Sequence, residues 1–280
     1  MPLKSIVFAE PGSHTFTPPA GVTAGWITMV AGSMGGMGQY LPNSDSNYYA
    51  GPAGGAPESV FNLPVSFNGP VSVFVGDGGI GGYLIISNPF DGTFPTIPPT
   101  AGTASSFGSF TVLPSTGAEV TYYNYWESPF QVDLYGYNGG GYTGGQTSGS
   151  YASNGNPGTQ ASVYFFGGSS GGPGGVDIFG SVTDGNAGGG SGGHSLGGAA
   201  GIASVNEAGG GGAGINVFGV SGDGADGSSL THKDGYSSTI IGAAGGGGAE
   251  NTDPLRNPFF TKGGNGKGGY VAVFWIDREA

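Results

Sequence analysis

The sequence predicts an all-β protein: a β-sandwich-like core with glycine-rich polyproline-II-type segments inserted between its strands. Three observations carry that prediction. Helical periodicity is missing throughout, and even the glycine-free stretch from Ala118 to Pro129 is loaded with β-branched and aromatic residues. Short runs of branched and aromatic residues recur at strand length, ending in Tyr270-Val271-Ala272-Val273-Phe274-Trp275-Ile276. Finally, 44 of the 65 glycines fall in the 131 positions from Gly139 to Gly269, in clusters that alternate with apolar segments.

Those apolar segments include Val163-Tyr164-Phe165-Phe166, Val176-Asp177-Ile178-Phe179, Ile215-Asn216-Val217-Phe218 and Ser238-Thr239-Ile240-Ile241. A featureless linker has no reason to return to such residues after each glycine cluster, whereas a folded domain needs them for a core. Ordering glycine costs more backbone entropy than ordering any other residue, so a folded glycine tract requires compensation. Close packing of extended left-handed segments supplies it: at three residues per turn and a rise of about 3.1 Å, backbones without Cβ atoms approach closely enough to bond to one another. Collagen is excluded because the glycines keep no strict three-residue period.

In chain order, Glu10-Pro11-Gly12 signals a turn, and His14 to Thr17 reads as a short strand ended by Pro18-Pro19. Trp26 to Val30 is apolar at nearly every position, as expected of a strand covered on both faces. Residues 31–57, with their glycine burst and tyrosines, read as an irregular projection. Ser59 to Phe61 and Val65 to Phe67 read as strands separated by Pro64, and Val71 to Val75 as a clearer one. Thr103 to Val112 resumes strand character, and Phe130, Val132 and Leu134 alternate with polar neighbours. The last run, 270–276, is expected to pair with Trp26 to Val30. The organisation is then a β-rich part over 1–138, a glycine-rich insertion over 139–269 and a closing strand over 270–276 that joins them into one architectural unit.

Composition narrows the function. The net charge is −12, and no Lys or Arg occurs between Lys4 and Lys233 while thirteen Asp and Glu do. Phosphate-directed nucleic-acid binding and polybasic membrane attachment both need clustered cations, so neither is expected. Cysteine is absent, which removes disulfides and thiolate metal sites. The N-terminus lacks the apolar region of about 7–15 residues that marks a secretory signal. Catalytic signals are weak: Gly168 to Gly172 and Gly189 to Gly193 match the nucleophile-elbow string, but neither leads into a helix. His14, His194 and His232 have no ligand spacing, no carboxylate pair stands out, and Asp223 and Asp226 form at most half of one calcium repeat. The expectation is a binding protein with no catalytic residue, no metal and no cofactor.

Candidate binding residues are aromatic: Tyr48, Tyr49, Tyr122, Tyr123, Tyr125, Trp126 and Tyr142 stand in glycine- or asparagine-rich surroundings. There a ring offers a rigid apolar face with a polar tip, suited to sugars or proteins. Loops 40–57, 84–100, 142–160 and 221–236 are the expected recognition loops.

Several motifs, taken in order, resemble one family. They are Phe16-Thr17-Pro18-Pro19-Ala20-Gly21-Val22-Thr23, the burst Gly32 to Gly38, Val71-Ser72-Val73-Phe74-Val75-Gly76-Asp77-Gly78-Gly79, Gly102 to Ser109, and Gly268-Gly269-Tyr270-Val271-Ala272-Val273. Together, from about residue 14 to 276, they resemble the glycine-rich domain of bacteriophage tail fibres and related virion proteins. By glycine packing alone the chain also resembles the small adhesins that cap the long fibres of T-even-type phages. The resemblance implies a virion-exposed module that recognises a bacterial glycan or outer-membrane protein, and a homo-oligomer, by analogy with fibres a trimer. It departs from the family in its shorter glycine runs and in lacking a fibre shaft, so other virion proteins are expected as its anchor. The competing expectation is a structural virion component, a capsid decoration or tail-assembly protein.

Overall fold

The computed structural model describes residues 1–36, 54–55, 57–84, 96–97, 99–114, 147–148, 151–152, 165–166, 213–215, 221–223, 237 and 262–277. Its elements are β1 (Leu3–Phe8), β2 (Gly12–Phe16), β3 (Ala24–Val30), β4 (Ser59–Ser66), β5 (Val71–Val75), β6 (Tyr83–Leu84), β7 (Thr96–Ile97), β8 (Ser105–Phe107), β9 (Phe110–Val112), β10 (Thr147–Ser148), β11 (Tyr151–Ala152), β12 (Phe165–Phe166), β13 (Ala213–Ile215), β14 (Ser221–Asp223) and β15 (Tyr270–Ile276). The described residues are all-β. A five-stranded sheet runs β1-β15-β3-β4-β12 and a four-stranded sheet runs β2-β5-β8-β9, with every pairing antiparallel. Three two-stranded ladders, β6-β7, β10-β11 and β13-β14, complete the described strands.

β15 pairs with β3 in the register Tyr270↔Val30 to Phe274↔Trp26, the partner expected from the sequence. On its other side lies β1, in the register Leu3↔Ile276 to Phe8↔Val271, a strand absent from the sequence reading. The continuous apolar character of β15 follows from its central place: Val271 and Val273 enter the main core, while Tyr270 and Ala272 are buried on the opposite face with Val30 and Phe61.

Pro64 does not split two strands. It lies inside β4, opposite Trp26, and among the described residues β12 pairs with Ser59 and Val60. A proline is tolerated where no described strand asks for its missing N–H. The irregularity sits instead at Phe61-Asn62, where an extra residue shifts the register between Ile27↔Leu63 and Met29↔Val60. Asn62 takes the left-handed conformation, φ 51°, and its amide donates to Thr28 Oγ1 at 3.2 Å. Because of this bulge Val60, Leu63 and Val65 all reach the same core despite their uneven spacing.

One buried cluster draws on both sheets: Ile27, Met29, Val60, Leu63, Val271 and Val273 from the first, Phe16, Val73, Val75, Phe107 and Val112 from the second. Its aromatic centre is Phe16, whose ring centroid lies 5.1 Å from Phe67, 6.0 Å from Phe107 and 5.8 Å from Trp275. Such tilted and edge-on pairs suit the ring quadrupoles. Thr103 to Val112, read as one strand, folds back on itself as the β8-β9 hairpin, with Gly108 at φ 58° in its turn.

The two sheets have a common polarity. At one end lie Val30, Ser59, Val75, Ser105 and Tyr270, all running directly into or out of glycine-rich segments. At the other lie Leu3↔Ile276, Phe16↔Val71 and the β8-β9 turn, and Asp277 N–H donates to the Pro2 carbonyl at 3.0 Å.

Candidate functional site

Five segments continue the core beyond its glycine end: 31–36 after β3, 54–55 ahead of β4, 76–82 after β5, 99–103 ahead of β8 and 262–269 ahead of β15. The first two fall in the stretch read as an irregular projection. They are nothing of the kind: residues 31–36 are wholly buried, as are Gly54 and Gly55.

Backbone bonds between the segments recur at every third residue. Gly32 and Gly35 N–H groups donate to the Thr103 and Thr100 carbonyls; Ser33 and Gly36 donate to Lys267 and Gly264; Met34, between them, donates to Gly55. Gly79 and Gly82 donate to Ser33 and Gly36, so 76–82 runs parallel to 31–36. Gly263, Gly266 and Gly269 donate to Gly82, Gly79 and Gly76, each at 2.9 Å, and run antiparallel to them. Successive residues of one segment therefore address different neighbours, and the fourth returns to the first. That is the periodicity of a three-residue turn.

Such ladders demand backbones closer than side chains permit. A methyl group on Gly32 would overlap the Asp77 carbonyl, and one on Gly81 the Gly263 carbonyl. Polar side chains fill the remaining valences. Thr103 Oγ1 and Thr100 Oγ1 accept from the Asp77 and Ile80 amides at 2.7 Å, and Asn265 Oδ1 accepts from Gly81 at 2.9 Å. Ser33 Oγ accepts from the Lys267 amide at 2.9 Å and donates to the Lys267 carbonyl at 2.8 Å.

Ser105 is the joint between core and bundle. Fully buried, it accepts from Gly76 N–H at 2.9 Å and donates to the Val30 carbonyl at 2.8 Å, tying the ends of β5 and β3 together. Ser105→Ala strands a buried donor and a buried acceptor, and is expected to cost about 2–4 kcal/mol. Chemical denaturation checks this; a loss no larger than that of an exposed Ser72→Ala control would refute the clasp.

Tyr270 closes the same junction, immediately after Gly269. Burial pushes its hydroxyl well above the ordinary tyrosine range. An unfolded tyrosine releases its proton near pH 10 whereas the folded one keeps it, so the stabilising contribution is complete below about pH 10 and declines as pH rises above it. Unfolding free energy measured from pH 8 to pH 11 is expected to fall less steeply in Tyr270→Phe than in the parent. Parallel curves would contradict the assignment.

Gly36, Gly54 and Lys262 lie on the glycine side of the core. The outer surface of the bundle carries exposed side chains: Ile80 is 57% exposed, Ile97 is 40% exposed, and Asp77, Thr100, Lys262 and Asn265 are exposed. Tyr83 bridges to Lys262 at the far end of the bundle. At the opposite pole a groove of about 400 Å³ runs past Trp26, Pro64, Ser66 and Ile276. None of its described lining residues is ionisable.

Every aromatic candidate of the sequence, Tyr48, Tyr49, Tyr122, Tyr123, Tyr125, Trp126 and Tyr142, lies outside the described residues. So do Asp226, the Phe130 to Tyr135 strand and most of loops 40–57, 142–160 and 221–236. Of loop 84–100, the β6-β7 ladder is described. Among the described residues no three His, Asp or Glu side chains form a metal-binding group. The residues that sequence reasoning missed are the buried Ser33 and Ser105. Their only signal was a serine directly following a glycine, at Ser33, or opening a strand, at Ser105. No protein-family model matches the chain, and no curated protein matches it in sequence.

Proposed function

We propose that the protein is a bacteriophage adhesin, carried at a tail or fibre tip and binding a bacterial surface glycan or outer-membrane protein without catalysing a reaction. In this reading the two sheets form a β-sandwich, and the five glycine-bearing segments form a bundle of polyproline-II-type helices that stands on it. The observation that carries the proposal is polar: the glycine-bearing segments 31–36, 76–82, 99–103 and 262–269 all adjoin the strands at one pole and bond to one another there, while β1 and β15 pair at Leu3↔Ile276 on the opposite one. A bundle with its backbone groups spent on neighbouring segments is a stiff platform for variable loops, and rigid presentation limits the entropy lost on binding. Anchorage to other virion proteins then falls to the opposite pole.

Fluorescently labelled protein, applied to a panel of bacterial strains with and without excess unlabelled protein, tests the proposal. Saturable binding confined to particular strains supports the adhesin. A folded protein that binds none of them, but co-sediments with virion particles, would replace it with the structural virion role.

A further inference from the structure

We propose that β1 is a self-pairing edge through which two copies of the chain join their five-stranded sheets about a two-fold axis. β1 is an outermost strand, exposed from Leu3 to Val7. The bond from Asp277 N–H to the Pro2 carbonyl fixes its phase: hydrogen-bonded pairs alternate along an antiparallel ladder, so Lys4, Ile6 and Phe8 bond to β15. Leu3, Ser5 and Val7 therefore turn their N–H and C=O groups away from the sheet. An uncovered row of this kind is a template for another strand.

The edge is not blunted as its counterparts are. β4 carries Pro64 within it, and β2 is bracketed by Pro11 and Pro18. β1 has no proline within it and a single charge, Lys4.

Its composition suits its own copy in one arrangement. Antiparallel pairing with Ser5 on the axis sets Leu3 against Val7 of the second copy, so the three outward residues of each strand exchange bonds. Their side chains lie on one face, where Leu3 is 65%, Val7 45% and the adjacent Ile276 41% exposed, and the pairing covers that apolar strip from both directions. Lys4 comes opposite Ile6 of the second copy. Parallel pairing in register would place Lys4 beside Lys4, a directly opposed like-charge pair that destabilises a sheet. A net charge of −12 on each copy opposes association at low ionic strength, so the measurement belongs at about 0.15 M salt.

The chain contains no cysteine, so Ser5→Cys introduces one thiol per copy. On the axis the two Cα atoms would lie about 5.5 Å apart, inside the disulfide range of about 4.4–6.8 Å. Oxidation is expected to convert most of the Ser5→Cys protein to a covalent dimer, against little for Ser72→Cys, an exposed position on the other sheet. Sedimentation equilibrium of the unmodified full chain should give twice the 27.5 kDa chain mass. Ser5→Pro removes an outward donor while sparing the bonds to β15, and should raise the dissociation constant at least about tenfold, as should Val7→Lys. Circular dichroism establishes that each variant is folded, and if Ser5→Pro fails to fold, Val7→Lys decides. A single-chain mass at the highest soluble concentration, a trimer, or a dimer indifferent to both substitutions would overturn the inference. The outcome is independent of cell binding: a dimer that binds no strain refutes the adhesin alone, and a strain-specific monomer refutes the pairing alone.

Discussion

Gly81→Ala is expected to destabilise the protein by at least about 3 kcal/mol, more than overpacking in an ordinary core, because the obstruction is main chain. The added methyl would lie on the Gly263 carbonyl, with Gly264 behind it, and neither can rotate away as a side-chain tip could. Relief requires moving 262–269 off 76–82, which breaks the bonds from Gly263 to Gly82 and from Gly266 to Gly79 together. Gly268→Ala supplies the contrast within the same segment: its methyl would stand 3.1 Å from the Gly76 carbonyl, a gap that a small shift opens. That variant should lose about 1 kcal/mol or less. Thermal unfolding of both distinguishes a close-packed bundle from glycine chosen for flexibility, since flexible glycines would give two small and similar losses. On the adhesin reading, Gly81→Ala should also lose strain-specific binding at temperatures where the core still holds.

How much of this was legible depends on how local the cause is. β3, β5 and β15 announce themselves because burial on both faces, or on one, writes a run or an alternation into consecutive residues. β1 gives no such signal: as an exposed edge it carries Lys4 and Ser5 among its apolar residues, and nothing in Leu3 to Phe8 reports which side is buried. Pro64 misled for the opposite reason, since a local rule about proline was overridden by its place within β4, opposite Trp26. The bundle was foreseen as a kind of packing, and the residues in which it is described are mostly others than those named for it. Glycine density pointed to 139–269, whereas four of the five bonded segments lie before residue 104 and only 262–269 comes from that tract. Ser33 and Lys267 are 234 residues apart, and no window of sequence contains the reason that Ser33 is buried. The same holds for Ser105, whose two partners are 29 and 75 residues away.

Phe16→Ala is the second large effect, and it asks whether the two sheets and the bundle form one cooperative unit. Phe16 is 2% exposed and meets Phe107 of its own sheet, Trp275 of the other and Phe67 just beyond β4. Removing so much buried ring is expected to cost about 3–5 kcal/mol, and Phe16→Leu about half of that or less. The bundle is rooted in both sheets: 31–36 and 262–269 grow from β3 and β15, while 76–82 and 99–103 grow from β5 and β8. If the sheets separate, these segments cannot stay in register. The cavity lies toward the pole opposite the glycines, yet amide exchange at Gly79 and Gly266 should accelerate in Phe16→Ala by the same factor as exchange at Val273. For a loss of that size the factor is about two to four decades. Unchanged exchange at Gly79 and Gly266 beside faster exchange at Val273 would mean that the bundle is stable without its base. Equal acceleration would mean that the core fixes the platform, and that whatever the loops present is held in place by residues at the opposite end of the described core.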